Sequence, residues 1–123
     1  MLKAIVTPLD GSALSERALV YTTVLARGTQ GRVVLVRAVF ARTLPGVDPT
    51  EAQVSVRRDA EAYLDAIAER LRMGGIEAES HVYYDDAAEA ILDAARVQHA
   101  DLIVMSTHGR AGLGRWVYGS VAD

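Results

Sequence analysis

No cysteine occurs among the 123 residues, so disulfides and thiolate metal sites are excluded, a composition that fits a reducing compartment. Long apolar runs are also missing. Half of the residues are hydrophobic, yet they come in stretches of four to six, far short of the ~20 needed to cross a bilayer. A soluble chain that does not enter a membrane is expected. Met1-Leu2-Lys3 passes straight into Ala4-Ile5-Val6 with no charged-then-apolar leader, and the expected location is cytoplasmic. There is no basic stripe either: thirteen Lys and Arg are scattered against sixteen Asp and Glu, for a net charge of −3. That balance argues against a nucleic-acid partner and confines any anion site to a local feature. At this length one core can form, and there is no room for a separate catalytic domain.

What is present is a repeated alternation of two patterns. Continuous β-branched runs at Ala4–Val6, Val33–Val36 and Leu102–Met105 read as parallel strands covered on both faces. The stretch Ile76–Val82 alternates apolar and polar residues, as an edge strand of the same sheet would. Between them lie three helical spacings: Leu14, Ala18, Tyr21, Leu25; Ala60, Leu64, Ile67, Leu71; and Ala88, Ile91, Leu92, Ala95. Ser12 or Ser15 can cap the first, Thr50 with Gln53 the second, and Asp85 or Asp86 the third, while Gly28 and Gly74-Gly75 are expected to end the first two. The insert from Phe40 to Pro49 carries two of the three prolines and reads as an exposed loop.

This order predicts a doubly wound α/β sheet with strand order 3-2-1-4 and a topological switch point between strands 1 and 4. Ligands in such sheets bind at the carboxyl ends of the strands that flank the switch. Here those ends are Pro8-Leu9-Asp10-Gly11-Ser12 and Ser106-Thr107-His108-Gly109.

The stretch from Met105 to Ser120 follows the fourth strand and is expected to open a helix. It holds Gly109, Gly112, Gly114 and Gly119. A glycine-rich turn of this kind directs backbone N–H groups at one point, a phosphate cradle, and nine residues separate Gly109 from Gly119-Ser120, so both ends can close on one polyphosphate. Arg110 and Arg115 can neutralise its charge. It is not a Walker A loop, because Gly114 is followed by Arg115-Trp116 rather than Lys-Ser/Thr.

At these residues the chain resembles the universal stress protein family, specifically its ATP-binding branch, whose loop reads Gly-x-x-Gly, nine residues, then Gly-Ser or Gly-Thr; the family's first glycine falls on Ser106. The resemblance covers essentially all of the chain and implies a Rossmann-like single domain over residues 1–123 that binds ATP, with Mg²⁺ or Mn²⁺ on the phosphates, in a stress-response regulatory role. It extends to Asp10 and to Ala38, whose position after strand 2 matches the family's adenine contact. The implied binding set is Pro8, Leu9, Asp10, Ala38, Met105, Ser106, Thr107, Gly109, Arg110, Gly119, Ser120 and Val121. The family adds a full helix and a fifth, closing strand, often its dimer contact. Both are absent here, so the domain is expected to be truncated, with Leu102–Met105 an open apolar edge covered by a tail, a partner chain or a second copy.

No residue pattern supplies a general base or a Walker B acid, so any ATP hydrolysis is expected to be slow, and no catalytic residue is named. A nucleotide-free interaction module of the same fold stays open, because a side chain at Ser106 can crowd phosphates. Asp85-Asp86 reads as a helix cap rather than a metal site, and His81, His99 and His108 are too dispersed for a metal-ligand pair. Trp116 and Tyr118 are expected to anchor the loop on the sheet.

Overall fold

The computed structural model describes residues 3–39, 45–46, 48–108 and 114–119, with the side chains of 49, 107, 108 and 114–119 outside the description. The elements run β1 (Ala4–Pro8), α1 (Ala13–Glu16), α2 (Ala18–Thr29), β2 (Arg32–Val39), α3 (Pro49–Met73), β3 (Ala78–Tyr84), α4 (Ala87–Val97), β4 (Leu102–His108) and β5 (Gly114–Gly119). The sheet order is β3-β2-β1-β4-β5, and β3, β2, β1 and β4 run parallel. The expected 3-2-1-4 order therefore holds.

Side chains alternate across the central strands and feed two cores, as the period of a strand requires. Ile5, Val33 and Leu35 pack with Leu64, Ile67 and Ala68 of α3 and Ala18 and Ala26 of α2. Val6, Val34 and Val36 pack with Ala94 and Ala95 of α4. Helices thus cover both faces, which is why β1 and β2 read as continuous apolar runs rather than alternating ones.

Helix ends differ from expectation in three places. The first predicted helix arrives as α1 and α2, broken at Arg17, where Arg17 N donates to Leu14 O at 3.2 Å and Val20 N to Arg17 O at 3.4 Å, both three-residue bonds that tighten the turn. It runs through Gly28 to Thr29 and stops at Gln30 in the left-handed region, φ 57°. The second helix starts at Pro49, not after Thr50: Asp48 is its cap and accepts from Thr50 N at 2.9 Å, because proline suits a first turn that needs no N–H partner. At α4, Asp86 occupies the cap position without a side-chain cap bond, and Asp85 Oδ1 instead accepts from Asp86 N at 2.8 Å.

Two helices close by the same motif. After α3, Ile76 N donates to Leu71 O at 3.0 Å and Gly75 N to Arg72 O at 2.9 Å, with Gly75 at φ +86°. After α4, Ala100 N donates to Ala95 O at 2.9 Å and His99 N to Arg96 O at 3.2 Å, with His99 at φ 52°. These are paired 6→1 and 5→2 bonds around a left-handed residue. Glycine takes that conformation freely, and histidine does not.

The edge of β4 is not open. Residues 114–119 pair with it as an antiparallel strand, from Ile103 opposite Gly119 to His108 opposite Gly114. The second half of the stretch expected to be a glycine loop is therefore a strand, and the helix expected from Gly119-Ser120 onward lies outside the described residues beyond Gly119. Unpaired N–H and C=O groups along β4 recruit the nearest chain able to extend, and Trp116-Val117-Tyr118 are residue types that favour strands.

A cleft at the carboxyl ends of the central strands

The first wall of the cleft is the turn that leaves β1. Leu9 N donates to Val36 O at 2.8 Å, which carries the β1–β2 pairing one residue beyond Pro8. The chain then reverses at Gly11, whose φ is +90° and where an added Cβ would stand 2.9 Å from Arg37 Nη1. Only glycine meets both conditions without displacement. Asp10 Oδ1 accepts from Ser12 N at 2.8 Å, and Ser12 Oγ in turn accepts from Ser15 N at 3.1 Å as the cap of α1.

Ser15 holds this turn together. It is buried, its hydroxyl donates to Ser12 O at 2.9 Å, and it accepts from Asp10 N at 3.2 Å. The sequence marked it only as an alternative cap; its role depends on the break at Arg17, which keeps α1 to one turn. The Asp10 carboxyl is pushed up by partial burial, but hydrogen bonds from Ser12 and Ser15 outweigh this and leave it below the usual aspartate value. Asp10 is ionised at neutral pH.

On the opposite face of β2, the Arg37 guanidinium lies 5.1 Å from the centre of the Tyr63 ring, and the Tyr63 hydroxyl donates to Glu16 Oε2 at 2.8 Å. Burial, reinforced by Glu16, pushes the Tyr63 hydroxyl well above the usual tyrosine range, so it stays a donor. This cluster ties α1, β2 and α3 together beneath Gly11.

Val36 and Ala38 of β2, Met105 and Ser106 of β4, and Ala87 and Ile91 of α4 supply the remaining walls. With Pro8, Leu9, Asp10 and Ser15 they enclose a cleft of about 150 Å³. Its walls are chiefly apolar, with one carboxylate and two hydroxyls. Ser106 Oγ donates to Leu14 O, which turns the hydroxyl toward α1 and ties β4 to it.

Six residues named from the sequence, Pro8, Leu9, Asp10, Ala38, Met105 and Ser106, are thus brought together around one cleft. Thr107 follows on β4. Gly119 is placed elsewhere: it pairs with Ile103, three residues back along β4 from Ser106, so it does not reach the strand end as expected. Antiparallel pairing along β4 carries the end of β5 away from the carboxyl edge. Gly109, Arg110, Ser120 and Val121 lie outside the described residues. Val36, Ala87 and Ile91 were not foreseen as lining residues; the one available signal was their position at the ends of elements that face the switch point. Among the described residues no group of three His, Asp or Glu is arranged to hold a metal. No helix there is long and apolar enough to cross a membrane. A larger groove of about 490 Å³ between α2 and α3 is remote from the strand ends.

Fold and cleft together define an α/β protein of the doubly wound type with a concavity at its switch point. The chain belongs to the universal stress protein family, whose model matches residues 1–123. A universal stress protein of Methanocaldococcus jannaschii, MJ0531, is 27% identical over 128 residues, covering 100% of this chain and 75% of its own length. The crystal structure of a universal stress protein family member from Burkholderia pseudomallei is 32% identical with a TM-score of 0.76, covering 87% of this chain and 83% of that one. A family member from Arabidopsis thaliana, solved with AMP bound, shares the fold at 12% identity and a TM-score of 0.68, over 89% of this chain and 79% of its own.

Proposed function

We propose that this chain is a nucleotide-responsive regulatory protein of the cytoplasm that binds an adenine nucleotide, ATP with Mg²⁺ or Mn²⁺ on its phosphates, in the cleft between β1, β2 and β4. The observation that carries the reading is the convergence of Pro8, Leu9, Asp10, Ala38, Met105 and Ser106 on one chiefly apolar cleft at the switch point. A flat base suits such walls, and the missing side chain at Ala38 leaves it width. Asp10, ionised and with Oδ1 held by Ser12 N, is placed to accept from ribose hydroxyls. Gly109 and Arg110 follow β4 directly in sequence and would carry the phosphates. The AMP-bound relative supports the adenosine end of this assignment.

The one carboxylate among the described cleft residues, Asp10, has Oδ1 held by Ser12 N and is assigned here to the ribose, so the protein is read as a binder rather than a dedicated ATPase. The hydroxyl of Ser106 is turned to Leu14, which weakens the argument that it crowds the phosphates. Homodimerisation belongs to the same proposal. It would use the outer edge of β5 rather than β4, which is already paired.

Calorimetry with MgATP, ADP and AMP tests the reading on the intact chain and on Ala38→Phe. A phenyl group at position 38 fills the base site, and at least tenfold weaker binding is expected with the fold retained by circular dichroism. Equal affinity in the variant would move the nucleotide out of this cleft.

A further inference from the structure

A groove of about 490 Å³ lies between α2 and the C-terminal half of α3, with Val20, Val24, Ile67 and Leu71 among its lining. Val20 and Val24 stand one helical turn apart and are 65% and 66% exposed. A valine pair left that open beside a groove marks a contact surface better than scattered apolar residues would. The groove also has a definite charge. Arg27 and Arg70 line it, no Asp or Glu does, and neither arginine makes an ion pair among the described residues.

From this pairing of an apolar floor with unpartnered guanidinium groups we infer that the groove docks an amphipathic helix of another protein, one that presents apolar side chains flanked by carboxylates. Apolar residues at one-turn spacing would seat between α2 and α3, and a carboxylate on either flank would meet Arg27 and Arg70 in the forked geometry arginine favours. A second copy of this chain is the poorer occupant. A two-fold contact sets each patch against itself, and here that brings arginines together with no acid to separate them. This site is on the far side of the fold from the strand ends and does not depend on nucleotide.

The probe is a synthetic peptide of about 18 residues, long enough to fold as a helix on contact, with Leu at i, i+3, i+4 and i+7 and Glu beside that stripe; a control carries Lys in place of Glu. Fluorescence anisotropy and amide chemical shifts read the binding. The expected result is saturable binding of the Glu peptide, shifts confined to residues 19–27 and 67–76, and at least tenfold preference over the Lys peptide. Arg27→Glu with Arg70→Glu should invert that preference, and Val24→Glu should abolish binding of the Glu peptide; all three positions are exposed, so the fold is kept. No saturation by about 1 mM, equal binding of the two peptides, or an unchanged preference in the double variant would overturn the inference. So would a dimer by light scattering that Val24→Glu dissolves, or binding to anionic phosphatidylserine vesicles without binding to the peptide.

Discussion

The hydroxyl of Thr7 in β1 lies 2.8 Å from the hydroxyl of Thr22 in α2, and both side chains are fully buried. Each satisfies the other where no water reaches. Changing Thr22 alone to Val should strand the Thr7 hydroxyl and cost about 1–2 kcal/mol in urea unfolding, whereas replacing both by Val should return stability to within about 0.5 kcal/mol of the parent. A double-mutant cycle with purely additive losses would show that the two hydroxyls do not depend on one another.

Acid should loosen the start of the sheet through Asp101. Its carboxylate accepts from Lys3 N at 2.7 Å and Ala4 N at 3.0 Å, bonds that outweigh slight burial and hold its pKa below the usual aspartate value. A group lowered in the folded state stabilises above its unfolded pKa, and that contribution is lost as pH falls through the folded value. Asp101→Asn should therefore lower stability at pH 7 and flatten the decline below about pH 4. Parallel stability curves for both proteins from pH 7 to pH 2 would refute this.

His99 closes α4 in the left-handed region that Gly75 occupies after α3. His99→Gly should raise stability by about 0.5–1 kcal/mol, the relief of a side chain at positive φ less the entropy of an added glycine. A lower melting temperature would mean that the imidazole has a stabilising contact this conformation does not reveal.

The central strands were legible in the sequence because β1, β2 and β4 carry unbroken apolar runs, and β1 and β2 are largely buried on both faces. Helix faces were harder to read. α2 buries Ala18, Thr22 and Ala26, and α4 buries Ala90, Ala94 and Ala95, while the larger Tyr21 and Leu92 stay about 40% exposed. Small residues give a weak periodic signal, and a count that favours large apolar side chains rotates the predicted face away from the real one. The strand ends around the cleft followed from topology alone. Ser15 did not, since its bonds to Asp10 and Ser12 depend on where α1 breaks. β5 was hidden by the glycines at its two ends, which read as a loop until β4 offers its edge.

Within the proposed site, Asp10 can be separated from its role in the turn. Asp10→Asn keeps an oxygen for Ser12 N but removes the charge, so the fold should melt within a few degrees of the parent. Nucleotide affinity should fall about tenfold, the loss of one charge-assisted bond to ribose. Undiminished affinity would confine Asp10 to capping the turn.

The most direct test of the account is amide chemical-shift mapping as MgATP is added to the labelled chain. Nucleotide binding at the switch point predicts saturable changes at Leu9, Asp10, Ala38, Met105 and Ser106, which line one cleft from three different strand ends, with little change along α2 and the C-terminal half of α3. Saturable shifts centred on the groove between those helices, or no shifts at millimolar nucleotide, would contradict it.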